Sequence, residues 1–386
     1  MSVETITLGC RLNFAESETI ARSAPADEDW IVVNSCAVTN EAVRQTRQAI
    51  RRAHRERPNA NILVTGCAVE LEPASFASMP GVSRVVGNPN KLNSLAANDV
   101  MTPTGMMANV KSFVAVQTGC DHRCTFCSIW KARGPSISLP FEAIRDAVGR
   151  EIDRGAKEIV LTGVDITDYE GGLGALCQRL LKAELRLERL RLSSLDSIEI
   201  DDALFDLIAG EARLMPHFHL SLQAGDDMIL KRMKRRHGRA DAVRTVERIK
   251  AARPDTTIGA DLIAGFPTET EDMALNSLKL LDDCDIIAAH VFPFSPRRDT
   301  PAARMPQVER EIVKARASRL RDAAAKRRSL WLESLVGTTP PILVEGDGIG
   351  HTDNFAPVAI AGAKRGESGT ASITGLDGTQ LAAVWA

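Results

Sequence analysis

Short runs of β-branched and aliphatic residues recur through the first hundred positions, each closing on a small or turn-forming residue: Thr5 to Gly9, Ile31 to Asn34, Ile62 to Gly66 and Arg84 to Gly87. Segments with helical spacing of apolar positions separate them, and this alternation predicts a parallel sheet flanked by helices. The first three runs lead into Cys10, Cys36 and Cys67. Loops at the carboxyl ends of parallel strands share one edge of a sheet. Three cysteines 26 and 31 positions apart are therefore expected to meet in space.

A Pro/Gly/Met-rich stretch, Met101 to Met107, interrupts the pattern and reads as a linker. Beyond it the strand-then-helix rhythm resumes, with strands expected at Phe113 to Gln117, Glu158 to Thr162, Arg189 to Ser193, His217 to Leu222, Thr257 to Ile263 and Ile286 to Phe292. Six such units suggest an incomplete (βα)6 barrel of parallel strands, with its chemistry at the carboxyl mouth. A helix rich in Arg, Lys and Ala is expected over Val308 to Leu335. From Gly337 to Ala386 short strands and Gly turns replace helical periodicity, the pattern of a small β-barrel. The expected organisation is an α/β chain in three parts, 1–100, 108–335 and 337–386.

Composition narrows the class without identifying it. With 386 residues, 44% hydrophobic and 25% charged, the chain has the balance of a soluble protein with sizeable cores. No long apolar run and no basic-then-apolar start is present, so a cytoplasmic protein without a membrane segment is expected. The net charge of −2 supplies no overall attraction to nucleic acid, and any RNA binding must come from local basic patches. Eight cysteines in a reducing compartment are read first as metal or redox sites.

Cys120-Asp121-His122-Arg123-Cys124-Thr125-Phe126-Cys127 is a C-x3-C-x2-C run just after the first barrel strand. Three thiolates on one tight loop can ligate three irons of a 4Fe–4S cluster and leave the fourth open, where the amino and carboxylate groups of S-adenosylmethionine (SAM) can chelate. Phe126 is expected to pack on the adenine of SAM. The competing assignments are a zinc knuckle or buried free thiols, but zinc sites favour paired C-x2-C or Cys/His quartets. Cys177 and Cys284 lie in helical patterns away from strand ends and are expected not to be ligands.

These strings resemble the radical SAM methylthiotransferase family over nearly the whole chain. Thr7-Leu8-Gly9-Cys10-Arg11-Leu12-Asn13 with Glu16-Ser17, Val33 to Thr39 around Cys36, and Val64-Thr65-Gly66-Cys67 are similar to the family's settings for three ligands of an auxiliary cluster. Leu161 to Ile166, Leu192 to Ser194, His219 to Gln223, Gly259 to Pro267 and His290 to Ser295 resemble its barrel strands, where Gly163, Asp165, Ser193, Gln223 and Asp261 are candidate contacts for SAM or substrate. The sequence departs from the family at Arg133-Gly134-Pro135-Ser136, where a second Arg is usual, and at Thr268-Glu269-Thr270, where Gly-Glu-Thr is common. The resemblance implies two 4Fe–4S clusters, SAM, and an electron donor and a sulfur donor outside the chain. It also implies methylthiolation at carbon 2 of a modified adenosine in tRNA. The Cys-Arg-Leu-Asn and Gly163-Val164-Asp165-Ile166-Thr167 strings look most like the N6-threonylcarbamoyladenosine branch, with N6-isopentenyladenosine or a ribosomal-protein aspartate as the alternative substrates. The last fifty residues are similar to the TRAM module, an RNA-binding barrel, but hold only Lys364 and Arg365 as bases.

Three basic clusters remain: Arg44, Arg47, Arg51 and Arg55 on one helical face, six bases within Lys231 to Arg239, and eight within Arg310 to Arg328. Such runs are ordinarily solvated faces, and with an RNA substrate they become candidate phosphate contacts. A non-catalytic iron–sulfur RNA-binding protein would carry the same surfaces without cleaving SAM, and a different radical SAM enzyme would have no use for the first three cysteines.

Overall fold

The computed structural model describes residues 3–23, 29–93 and 110–386; the expected linker at Met101 to Met107 lies outside them. Strands β1 (Glu4–Thr7), β2 (Trp30–Ser35), β3 (Asn61–Gly66) and β4 (Val82–Val85) form a parallel sheet in that order. Its central strands are apolar on both faces, as strands covered by helices must be. Ile31, Val33, Ile62 and Val64 pack with Ile50 and Phe76 on one side, and Val32 and Leu63 pack with Ile20 and Trp30 on the other. Ser35 and Gly66 abut Cys36 and Cys67 as expected, whereas β1 stops at Thr7 and leaves Leu8 and Gly9 before Cys10. Thr39 starts the helix Asn40–Glu56 by accepting the Ala42 N–H at 3.1 Å.

The second part is an open barrel. Its parallel strands are β5 (Lys111–Ala115), β8 (Glu158–Thr162), β9 (Arg189–Leu192), β10 (His217–Gln223), β11 (Thr257–Ala264) and β12 (Ile286–Pro293). Bridges from Leu190 to Leu214 and Leu195 to Leu220 join the two three-stranded halves, and β5 and β12 do not pair. The strand expected over Phe113 to Gln117 divides in two. It leaves β5 at Ala115, and β6 (Gln117–Thr118) pairs antiparallel with β7 (Ile137–Ser138), while the Gln117 side chain donates to the Gly119 carbonyl and accepts from the Val164 and Asp165 amides.

Alternation along β9 sends Leu190 and Leu192 into the main apolar core under the helices and turns Arg189 and Arg191 inward. The interior is consequently charged. Glu158, buried at the start of β8, accepts from Arg189 Nε at 3.1 Å and Arg191 Nε at 2.9 Å and pairs with Lys111 at 3.2 Å. Burial alone would raise its carboxyl, but Arg191, Lys111 and Arg189 together hold it well below the usual carboxylate range.

The long helix Arg310–Ser334 runs along β12 and ends in a closed five-stranded barrel, β13 (Pro341–Gly346), β14 (Ile349–Thr352), β15 (Pro357–Ile360), β16 (Ser368–Asp377) and β17 (Gln380–Trp385). Leu332 of that helix lies in the module's core. The module's turn Asp353-Asn354-Phe355 closes the amino end of the large barrel. Asp353 pairs with Arg189, Thr257 Oγ1 donates to the Asn354 carbonyl at 2.7 Å, and the Phe355 ring stacks on His217 at 5.0 Å.

His217 is buried there, and burial together with the charge of Arg191 lowers its pKa well below the ordinary 6.5. The folded protein therefore binds fewer protons at this site than the unfolded chain. Stability is expected to be full above about pH 6.5 and to fall below it by up to about 1.4 kcal/mol per pH unit. Denaturant midpoints between pH 7 and 5 should show a drop that His217→Asn reduces. A pH dependence identical in both proteins would refute the assignment.

Candidate functional site

Two groups of three thiols lie at the facing edges of the sheet and the barrel. In the first, Cys36 and Cys67 are buried at the ends of β2 and β3, and Cys10 is exposed beyond β1. Gly9 makes the approach possible. Its φ is +98°, and a Cβ there would lie 2.7 Å from Cys36 Sγ. Asn13 Nδ2 donates to the Leu8 and Ser35 carbonyls at 2.8 and 3.0 Å, tying the Cys10 loop to the Cys36 loop. Burial pushes the Cys36 thiol up to about 11 against the Val38 N–H at 3.4 Å, and the neighbouring Cys10 and Cys67 add to the rise.

The second group occupies the loop after β6. The Cys127 N–H bonds the Cys124 carbonyl at 3.2 Å, and Thr125 fastens the loop to the end of the helix Asp227–Met233 through the Met233 and Arg232 carbonyls. Burial raises Cys120 to about 12, helped by Asp165, whose Oδ2 is 3.8 Å away. Burial also raises Cys127 to about 11, opposed by the Ile129 N–H at 3.3 Å from its sulfur. Arg235 Nη1 lies 3.7 Å from Cys124 Sγ, and its Nη2 bonds Asp196 at 2.8 Å.

One short helix connects the two groups. Ile129–Arg133 begins two residues after Cys127, and Ile129 and Ala132 pack into the core of the first sheet. Arg133, almost fully buried, reaches Cys67 Sγ with Nε at 3.2 Å, Glu16 at 2.8 Å and Asn13 Oδ1 at 2.6 Å, while Lys91 closes on the other side of Glu16. A second buried guanidinium, Arg297, is held by Asn40 at 2.7 Å, and its charge interacts with both Cys36 and Cys127. Nothing local in the sequence distinguishes Arg133, Lys91, Arg235 and Arg297 from solvated bases.

The other sequence-derived candidates distribute unevenly around the mouth. Asp165 sits beside Cys120, accepts from Thr167 Oγ1 at 2.9 Å and faces His122 at 3.4 Å, and His122 also approaches Asp196 and Glu199. Burial pushes the Asp165 carboxyl up in spite of His122. Gly163 lies against Gln117, whose carbonyl would be 2.7 Å from an added Cβ. Ser193 follows β9 and is buried, and Gln223 ends β10 with φ +68°. Phe126 rests on an apolar cluster with Ile229, Met233 and Phe266. Asp261 stands in the middle of β11 and not at its carboxyl end, held by His219 Nε2 at 2.9 Å and His290 Nδ1 at 3.3 Å. Cys177 and Cys284 are part of the main apolar core, and burial raises both thiols.

The basic runs are mostly spent on the fold itself. Within Lys231 to Arg239, Arg235 belongs to the site, Arg236 pairs with Glu199 and Arg239 with Asp283. Arg316 and Arg327 of the last run are likewise paired, with Glu269 and with Asp282 and Asp285. Arg44, Arg51 and Arg55 are exposed on their helix, with Arg44 paired to Glu41, and Arg47 is engaged by Glu72.

The chain's relatives agree with this architecture. Residues 114–281 match the radical SAM superfamily, and residues 2–87 match a family described as uncharacterized protein family UPF0004. The chain is 43% identical over 382 residues to the threonylcarbamoyladenosine tRNA methylthiotransferase MtaB of Rickettsia prowazekii, covering 92% of this chain and 91% of that one. It is 32% identical to the MtaB of Thermotoga maritima, over 89% and 86% of the two chains. A tRNA-2-methylthio-N(6)-dimethylallyladenosine synthase of Erythrobacter litoralis is 33% identical, also over 89% and 86%. Among solved structures, the radical SAM methyltransferase TsrM of Kitasatospora setae superposes with a TM-score of 0.54 at 15% identity, covering 73% of this chain and 66% of that one, and so shares the fold. SAM and an iron–sulfur cluster are the shared cofactors of this superfamily, and its methylthiotransferases are transferases. A sheet and an open barrel, each presenting three cysteines, joined in one chain with these relatives, make the protein a member of the radical SAM methylthiotransferase family, in its MtaB-like branch.

Proposed function

We propose that this chain methylthiolates carbon 2 of N6-threonylcarbamoyladenosine in the anticodon loop of tRNA, holding one 4Fe–4S cluster on Cys120, Cys124 and Cys127 and a second on Cys10, Cys36 and Cys67. The observation that carries the reading is the helix Ile129–Arg133, which starts beside Cys127 and places Arg133 Nε 3.2 Å from Cys67 Sγ. Sulfur delivery and radical generation must converge on one carbon atom, and a rigid link between the two ligand sets fixes that geometry. The substrate assignment is supported by the relative of 43% identity. The three-part division at 1–100, 108–335 and 337–386 and a cytoplasmic location, where tRNA is modified, belong to the same proposal; among the described residues no helix is long and apolar enough to cross a membrane.

The donor sets fit such clusters. Each presents three thiols, and each has a guanidinium in contact with sulfur, Arg133 at Cys67 and Arg235 at Cys124, to offset the negative charge of thiolate-ligated iron. When bound, the loop cluster supplies the electron that cleaves SAM reductively, and the other supplies the place where sulfur is delivered. The chain's own residues do the rest. The Val38 and Ile129 amides point at Cys36 and Cys127 sulfur and stabilise the thiolate form. Burial raises Cys36, Cys120 and Cys127 to about 11 or 12, so that binding iron at these thiols would displace their protons. Asp165, Asp196 and Glu199 gather around His122 at the mouth, where SAM would bind, with Asp196 also engaged by Arg235 and Glu199 by Arg236. The turn at Phe355 closes the far end of the barrel against water.

The test uses the anaerobically reconstituted protein and its Cys36→Ala variant with tRNA carrying either N6-threonylcarbamoyladenosine or N6-isopentenyladenosine. Wild type should add the methylthio group to the first RNA only. Cys36→Ala should still form 5′-deoxyadenosine and yield no methylthio product, because the barrel loop is built separately from the strand that carries Cys36. Product on the isopentenyl RNA alone would move the protein to the sister activity. A ribosomal-protein aspartate modified in place of either RNA would overturn the RNA assignment.

A further inference from the structure

Alternation along three neighbouring strands brings three metal-ligand side chains together inside the barrel. On β10, Phe218, Leu220 and Leu222 lie in the main apolar core, which turns His219 inward. On β11, Ala260 and Leu262 do the same for Asp261, and on β12, Ala289 and Val291 pack on that core and turn His290 inward. Asp261 stands directly opposite His290, and His219 stands opposite Gly259, two residues before Asp261. Gly259 is there for space. Its φ is not positive, but a Cβ at this position would lie 2.5 Å from His219 Nδ1.

His219 Nε2 and His290 Nδ1 converge on one carboxylate oxygen, Asp261 Oδ1, at 2.9 and 3.3 Å, and the two rings lie 4.5 Å apart between centroids. The three donor atoms are all within 4.8 Å of one another. Among the described residues these side chains make no other hydrogen bond or ion pair. They therefore stand apart from the network that Glu158 builds with Arg189 and Arg191 at the amino end of the barrel. Both imidazoles are spent on Oδ1 while Oδ2 bonds nothing among the described residues. Three ligands around one ion explain that arrangement, and hydrogen bonding does not require it. Bonds of about 2.1 Å to a divalent cation, in tetrahedral or octahedral geometry, set neighbouring donors about 3.0 to 3.4 Å apart, which matches the observed spacings.

We propose that His219, Asp261 and His290 bind one divalent first-row cation inside the barrel. The site is separate from both cysteine sets and does not depend on the substrate assignment. Two imidazoles and a carboxylate, with no thiol, form a donor set suited to Mn(II), Fe(II) or Zn(II), and three protein ligands leave positions open for water or another oxygen donor. An ion can reach the site from the side of the barrel. His290 is 63% exposed at the side chain, and its strand has no partner on the side of the gap between β12 and β5.

The test is a Mn(II) titration of the anaerobically reconstituted full chain, followed by electron paramagnetic resonance. Mn(II) is the probe because the signal of the free aqueous ion disappears on binding, and because it prefers oxygen and nitrogen donors to the thiols of the other two sites. Oxidised 4Fe–4S clusters are diamagnetic and leave that signal readable. Wild type should take up one Mn(II) per chain. His290→Ala and, separately, Asp261→Asn should each weaken uptake by at least about 100-fold, beyond the effect of losing a group behind a ligand. Iron content should stay at the wild-type level in both. His290 is exposed and Asp261→Asn keeps the shape of the side chain, so a folding defect in one variant leaves the other to decide. Glu199→Gln is the control, because His122, Asp196 and Glu199 also gather within 4.8 Å at the mouth, and it should bind Mn(II) as wild type does.

Three results would overturn the site. The first is no uptake by wild type even at millimolar Mn(II), which would make the cluster a hydrogen-bonded group only. The second is uptake that both His290→Ala and Asp261→Asn retain. The third is uptake lost in Glu199→Gln and kept in His290→Ala, which would place the ion at the mouth.

Discussion

Cys124→Ala is expected to lose one of two clusters and reduce 5′-deoxyadenosine formation from SAM to background. Cys124 is buried at the centre of the C-x3-C-x2-C loop, with its sulfur 3.7 Å from Arg235 Nη1. Its removal leaves two thiols for a cluster that needs three protein ligands. It also leaves Arg235 with Asp196 as its remaining charged contact. Iron content after anaerobic reconstitution should fall from about eight to about four per chain. The Cys177→Ala control, at a thiol inside the main apolar core, should keep the full complement. Undiminished 5′-deoxyadenosine from Cys124→Ala would remove the loop from the chemistry.

The largest expected effect on stability is at Arg133. Its guanidinium binds Glu16, Asn13 and Cys67 in a setting where Arg133 is 2% and Glu16 9% exposed at the side chain. Burial raises the Glu16 carboxyl, and Arg133 and Lys91 together reverse that and hold it below its ordinary value. Removing one partner from such a group leaves a buried charge under-compensated, at a cost of about 3–5 kcal/mol. Arg133→Met should therefore lower the denaturant midpoint strongly and reduce iron retention at the Cys67 triad, while leaving the Cys120 loop able to load. Glu16→Gln should cost less, and the double variant should cost less than the two single changes added, because both act on one network. An Arg133→Met protein within about 0.5 kcal/mol of wild type, the range of an ordinary surface change, would refute this role.

The strands leading to Cys36 and Cys67, the barrel rhythm and the closed terminal module were readable because each depends on local spacing: apolar runs for strands covered on both faces, turn residues at their ends, glycines between short strands. The expectation that Cys10, Cys36 and Cys67 share one edge rests on topology alone, since parallel strands deliver their carboxyl ends to one edge. What could not be read is which polar side chains spend their charge on one another. Lys91, Glu16 and Arg133 lie on three separated segments, and in sequence each is an ordinary surface residue. The run Lys231 to Arg239 reads as one basic patch, yet Arg235 turns to Cys124, Arg236 to Glu199 and Arg239 to Asp283.

Asp353 to Phe355 look like a plain turn of the terminal barrel until they are found closing the large one on His217 and Arg189. Local pattern fixes which face of an element is apolar, because burial of apolar area is non-directional and needs only the right periodicity. Ion pairs and thiol environments depend on distances of a few ångströms between segments remote in sequence. The sequence by itself determined the elements, the two cysteine sets and the family they resemble. Only the tertiary structure decided that one helix joins those sets, and that a turn of the terminal module closes the large barrel.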